Sequence, residues 1–230
     1  MAERITSTGT QPDLQIIFED KHLIAVNKPA GVLSQPDGSN RPDVLTLTKS
    51  YLHKVTSGLR DPYLGLLHRL DMPVSGVMLL AKSSSAAASL SEQIREQSIK
   101  KTYLAVVEGD PPENGYLSDH LLKDTKINTV EVVPSDAKRA RLAELFFVKK
   151  QKKSQYSLIE VTIITGRPHQ IRVQLAHAGY PVLGDHKYGS GSIQNIALHS
   201  FMLNFRHPKD KKKESLKAEP PQLHPWILFN

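Results

Sequence analysis

The 230-residue chain contains no cysteine. That absence excludes disulfides, cysteine-ligated zinc, iron–sulfur clusters and thiolate catalysis, and it fits an expected cytoplasmic location. Long apolar runs are missing as well. No stretch approaches the roughly 18 consecutive apolar residues of a membrane span, so no membrane partner is expected. The opening MAERITSTGT lacks the apolar core of a secretory signal. Aromatic residues are scarce at 6%, with one Trp, yet hydrophobic residues reach 39% and charged residues 23%, ordinary values for a folded globular chain. A chain of this size can bury about 70% or more of its unfolded surface without covalent staples. No internal stretch has a linker's composition, which predicts one domain over 14–230 behind an N-terminal extension, 1–13.

The formal charge is +7, and two short runs account for it. Residues 149–153 read KKQKK and residues 209–213 read KDKKK; setting these ten positions aside leaves 22 basic and 22 acidic residues. Lys149, Lys150, Lys152 and Lys153 are therefore candidate phosphate contacts. Two solvated loops kept soluble by lysine would have the same composition.

Apolar spacing predicts the elements. Two short strands with a tight turn are expected over 14–27, then a Lys-Pro-Ala-Gly break at 28–31 and an exposed loop over 36–43. A helix is expected over 44–55, with Val44, Leu47, Tyr51, Leu52 and Val55 on one side. GVMLLA at 76–81 reads as a buried strand, and 84–97 as a helix capped by Ser83 or Ser84. Strands follow over 101–108, 140–148 and 155–165, with KKQKK as the loop of the last pair. Pro168 and Gly179 bracket a short helix over 169–178. A strand over 196–206 precedes a polar, disordered loop over 207–221, after which PWILFN docks back and Trp226 serves packing. The pattern is α+β, around a mixed, largely antiparallel central sheet with flanking helices.

One constellation stands out. In GLLHRLDMPVSGVMLLAK, 65–82, apolar segments flank His68-Arg69-Leu70-Asp71. Charges held between buried segments are costly unless paired, so the loop is a candidate site; an Arg–Asp pair capping a turn would read the same. In 169–178, Ile171, Leu175 and Ala178 share one helical face, while His169, Arg172 and Ala176 share the opposite one. Arg172 therefore points away from the core, into a cleft or into solvent.

Three blocks make the sequence resemble the RluA-type RNA pseudouridine synthases. They are IIFEDKHLIAVNKPAGVLSQP, then HRLDMPVSGVMLLAKS, then TGRPHQIRVQLAHAGYPVLGDHKYG with a trailing LHSFMLNFRHP. KTYLAVVEG lies between the second and third, and the likeness runs from Leu14 to Pro208. Several long motifs in order are far more specific than one short pattern. The resemblance implies a pseudouridine synthase fold with a central cleft, no cofactor, no metal and an RNA partner, ribosomal RNA ahead of transfer RNA. It implies Asp71 as the catalytic aspartate, Tyr103 stacked on the target uracil and assisting proton removal, and Arg172, or less readily Arg167, paired with Asp71. Arg69 would hold the RNA open and Leu183 would line the pocket's apolar wall. His68, Lys101, Arg167, His169 and Gln170 complete the implied RNA-facing set, with a monomer as the default state. Position 74 departs from the pattern, carrying Val where the family usually has Thr. The family's frequent N-terminal RNA-binding domain has no counterpart in the thirteen residues before the core.

The chemistry is consistent with this inventory. Pseudouridine formation breaks a glycosidic N–C bond and remakes it from carbon, with no redox change. A base within a helix must first be flipped out, at a cost of a few kcal/mol. One carboxylate beside the sugar then acts either as nucleophile or as base for the ribose 2′ proton. Both routes stay open on the residues, and the resemblance favours proton abstraction. Two rivals frame the expectation. A metal-dependent hydrolase could use His68, Asp71, Asp185 and His186, although no HExxH-type pattern is present. A non-catalytic RNA-binding or ribosome-associated protein would explain the lysines, but not a carboxylate that repels phosphate.

Overall fold

The computed structural model describes residues 14–56, 61–189 and 191–229; the expected extension over 1–13 lies outside them. Eleven strands and three α-helices follow in the order β1 (Gln15–Glu19), β2 (Leu23–Lys28), α1 (Val44–Val55), β3 (Gly65–Leu66), β4 (Ser75–Ala81), α2 (Ser84–Arg95), β5 (Lys100–Glu108), β6 (Asn114–Asp124), β7 (Thr129–Val133), β8 (Arg141–Lys153), β9 (Tyr156–Ile163), α3 (Gln170–His177), β10 (Leu198–Arg206) and β11 (Lys213–Lys217). A 3-10 turn, Trp226–Phe229, ends the described chain. All eleven strands join one sheet, along the path β1-β2-β4-β10-β5-β9-β8-β6-β7, with β11 added to β10 and β3 to β4. Every pairing is antiparallel except β4 with β10. The fold is α+β.

Strand periodicity sorts the core into two faces. Along β4, Met78 and Leu80 join the cluster of Ile24, Val26, Tyr103 and Phe147, whereas Val77 and Leu79 join that of Leu23, Ala25, Leu90 and Leu203. Covered on both sides, β4 reads as a continuous apolar run. The first face also receives Ile171 and Leu175 of α3, and the second receives Ala86 and Leu90 of α2. Ser83 caps α2, its hydroxyl accepting from the Ala86 amide at 3.2 Å. Asp43 caps α1, whose buried positions are Val44, Thr48 and Leu52. Val55, expected on that face, is exposed because the helix ends over solvent.

Three expectations change. The KKQKK run is the end of β8, and the turn is Ser154–Gln155. Lys149 pairs with Asp110 at 2.9 Å and Glu113 at 3.0 Å, Lys152 with Asp110 at 2.5 Å, and Lys150 with Glu160 at 3.8 Å. These ion pairs let a lysine-rich segment continue as strand. Residues 207–221 are not disordered: β11 pairs with β10 from Met202↔Lys217 to Arg206↔Lys213. Leu216 and Ala218 alternate onto the second face of the core, which holds the strand in place. β6 and β7 have no expected counterpart. Trp226 does dock, against Val106, Leu183 and Ala197. No helix among the described residues is long and apolar enough to cross a membrane.

Candidate active site

A cleft of about 1500 Å³ opens on the first face of the sheet. Its walls come from the 65–73 segment, β5, the start of α3 and the 184–187 turn. Eight Lys and Arg side chains line it, against three carboxylates. The sequence count, which left everything outside the two lysine runs neutral, concealed this local excess.

Asp71 lies on a loop clamped from several sides. The Ser34 hydroxyl donates to the Leu70 carbonyl at 2.7 Å and accepts from the Leu70 amide at 3.0 Å. The Gly31 amide reaches the Met72 carbonyl at 2.9 Å. Lys28, wholly buried, donates through Nζ to the carbonyls of Pro29 at 2.9 Å and Met72 at 3.0 Å. Burial pushes its pKa down to about 7, with the charge of Asp71 opposing the shift. The Lys-Pro-Ala-Gly break and Ser34 are thus the brackets that hold the Asp71 loop. His68 braces it from the other side, Nε2 accepting the Leu79 amide at 3.1 Å. Burial, and then the charge of Lys101, lower its pKa to about 3, so the ring is neutral.

Arg172 rises from α3 toward this loop. Its Nη1 donates to Asp71 Oδ2 at 2.8 Å, while Nε and Nη2 grip Asp185 Oδ2 and Oδ1 at 2.8 and 2.7 Å. Burial alone would lower the Arg172 pKa; the hydrogen bonds and charge of Asp185, then of Asp71, raise it instead. Burial would likewise raise the Asp185 pKa, but Arg172 and the amides of Lys187 and Tyr188 hold it below the usual range. Arg172 is therefore a fixed cation, and Asp71 Oδ1 has no protein hydrogen-bond partner among the described residues. Tyr188 completes the frame. Its ring lies 5.2 Å from the guanidinium carbon of Arg172, and its hydroxyl meets His169 Nδ1 at 2.6 Å and the Val130 amide at 2.8 Å. His169 Nε2 is 3.9 Å from Asp71 Oδ2, and its backbone is left-handed at φ 51°, a conformation that non-glycine residues adopt at some cost. Burial lowers its pKa, with Asp71 opposing.

Tyr103 lies on β5 and lines the cleft. Burial and the charge of Asp71 push its hydroxyl pKa well up, so the ring stays a neutral phenol. Arg69 is exposed at the cleft, with no ion pair among the described residues. Lys101 and Arg167 also line the cleft; burial lowers the pKa of Lys101, and Arg167 Nε donates to the Leu142 carbonyl at 2.8 Å.

Several expected residues stand elsewhere. Gln170 is buried, with Oε1 accepting from Thr165 Oγ1 and the Arg167 amide and Nε2 donating to the Glu144 carbonyl. It shapes the loop before α3 and does not line the cleft. Leu183 is wholly buried behind the sheet with Val106, Ala197 and Trp226; Leu70, Ile163 and Ile196 line the cleft in its place. Lys149, Lys150, Lys152 and Lys153 do not line it either. Val74, the departure from the family pattern, is buried in the main core. Lys28, Ser34 and Tyr188 went unrecognised in the sequence, and Asp185 was noticed only beside His186. Among the described residues no group of three His, Asp or Glu side chains is placed to hold a metal. A guanidinium already bridges Asp71 and Asp185.

Comparison with known proteins bears on the family and the fold. The family described as RNA pseudouridylate synthase matches residues 22–177. The chain is 36% identical over 215 residues to ribosomal large subunit pseudouridine synthase C of Buchnera aphidicola, covering 89% of this chain and 66% of that one. It is 34% identical to ribosomal large subunit pseudouridine synthase D of Zymomonas mobilis, covering 91% and 70%. It is 31% identical to tRNA pseudouridine synthase C of Haemophilus ducreyi, covering 95% of each. The chain thus spans about two thirds of the two ribosomal relatives and nearly all of the third. The solved structure of human RNA pseudouridylate synthase domain containing 4 superposes with a TM-score of 0.76 at 24% identity, covering 90% and 89%, a likeness of fold. By sequence match over most of its length, this chain belongs to the RNA pseudouridylate synthase family.

Proposed function

We propose that this chain isomerises specific uridines to pseudouridine in structured RNA, with Asp71 as the catalytic carboxylate. One observation carries the reading: a single carboxylate oxygen, Asp71 Oδ1, has no hydrogen-bond partner among the described residues in a cationic cleft, while Oδ2 is fixed by Arg172. A binding surface for phosphates gains nothing from a carboxylate there. An enzyme acting on a sugar needs one. The target nucleotide leaves its stack, and Arg69, exposed and unpaired, takes the vacated space. Tyr103 lies against the uracil as a neutral aromatic face. A phenol that keeps its proton suits stacking better than proton removal. Asp71 then meets the ribose, and the same carboxylate serves the base or the nucleophile role.

Ribosomal RNA is the proposed substrate, since several relatives carry ribosomal names. Transfer RNA is the second reading, favoured by the end-to-end match to the transfer-RNA enzyme. The protein is proposed to act as a cytoplasmic monomer without a cofactor. Pseudouridine mapping tests this, on RNA from cells lacking the protein and complemented with wild type or Asp71→Asn. A pseudouridine that disappears and returns only with wild type is the expected result. Equal rescue by Asp71→Asn would remove the catalytic assignment, and no missing site would favour an RNA-binding role.

A further inference from the structure

Beside the cleft lies a second, smaller pocket of about 150 Å³. Its apolar lining comes from Leu121 and Leu122 of β6, Val130 of β7, and Pro168. Its rim is cationic: among the described residues Lys123, Arg139, Arg141 and Arg167 line it, and no carboxylate does. Like charges repel when brought together, and in folded proteins such clusters are normally neutralised by carboxylates. Here the side chains of Lys123, Arg139 and Arg141 have no ion pair or hydrogen bond among the described residues. Arg167 is aimed by its Nε bond to the Leu142 carbonyl. The pocket adjoins the cleft, since Lys123, Arg167 and Pro168 line both. Pro168 precedes His169, whose ring is 3.9 Å from Asp71.

We infer that this pocket receives the base of a nucleotide next to the target uridine, with its phosphate among Arg139, Arg141 and Arg167. The inference rests on the RNA substrate proposed above. A cavity of roughly 150 Å³ with apolar walls is enough to take up benzene, so the six-membered ring of a base fits. Guanidiniums at the mouth supply the donors that a phosphate accepts. Binding at both places requires two nucleotides of the strand to be unstacked together. The pocket would therefore select RNA whose loop yields at the neighbouring position as well as at the target. It adds specificity where Asp71 supplies only chemistry.

The test measures equilibrium binding of the full chain to RNA hairpins that it retains at moderate salt, independently of turnover. Each nucleotide flanking the target uridine is replaced in turn by an abasic residue. For wild type, one abasic position weakens binding about tenfold, the scale of burying one base against apolar side chains. Arg139→Ala/Arg141→Ala weakens binding to the intact hairpin by a similar factor, and that abasic position then costs nothing more. Both arginines are exposed, and an unchanged thermal midpoint checks that the variant is folded. Unchanged binding by the double variant would overturn the inference. So would a uniform loss with every abasic effect retained, which is plain attraction for phosphate. A chain that binds with this pattern but forms no pseudouridine would sink the Asp71 reading and leave the pocket standing.

Discussion

Asp185 grips Arg172 through two hydrogen bonds and Asp71 through only one, so the buried partner aims the guanidinium and the cleft partner uses it. Removing one member of a buried ionic set strands the rest. Asp185→Asn should cost roughly 3 kcal/mol in urea unfolding, and should lower kcat more than it raises KM, because it alters the charge facing Asp71 rather than the RNA. Lys28 makes a different prediction. Its pKa is about 7 in the fold against 10.5 for the free side chain. Between those values the unfolded chain binds the extra proton, so stability rises with pH across that window. Below about pH 7 both states are protonated and the contribution is flat. Comparing unfolding free energies from pH 6 to 10, Lys28→Met should lose that part of the slope. Asp71 was conspicuous as a charge between apolar segments, whereas its pairing with Arg172 was legible only through the family resemblance, because the helical face of Arg172 pointed equally to a cleft or to solvent. Lys28, Asp185 and Tyr188 were not, because their partners come from other elements.

At the level of elements, the junction of β4 and β10 leaves no room for a side chain at Gly76. Its φ is 114°, and a Cβ there would stand 2.2 Å from the Ser200 carbonyl oxygen. Gly76→Ala therefore meets both an unfavourable backbone and a backbone clash. It should yield little soluble protein, and a thermal midpoint well below wild type in what is recovered. The adjoining Ser75 hydroxyl meets His199 Nδ1 at 2.8 Å, a second tie across the same junction. Apolar β4 and capped α2 were legible because their signals are local. The end of β8 was not: Lys149 to Lys153 look like a loop until Asp110, Glu113 and Glu160 are seen beside them. β11 escaped notice because only Leu216 and Ala218 point inward.

Across the whole molecule, charge is distributed by function more than by count. The cleft carries an excess of five positive charges by its lining residues, compared with seven for the entire chain. Salt dependence of RNA binding reads this directly. Arg69→Ala should reduce the slope of log affinity against log salt by about 1. Changing Lys149, Lys150, Lys152 and Lys153 together to Gln should reduce it by no more than about 1, since three of the four already neutralise carboxylates. A loss near four would put that hairpin on the RNA. The β4–β10 pairing has a further consequence, for the chain as it is made. Ser75 and His199 are 124 positions apart, and at 5–20 residues per second their separation corresponds to on the order of ten seconds of translation. Until β10 emerges, the Ser75–Gly76 end of the most apolar strand lacks its partner, an open backbone end that another strand could pair with. The segment that bears Asp71 is made long before the one that bears Arg172, so the ion pair between them closes late in synthesis.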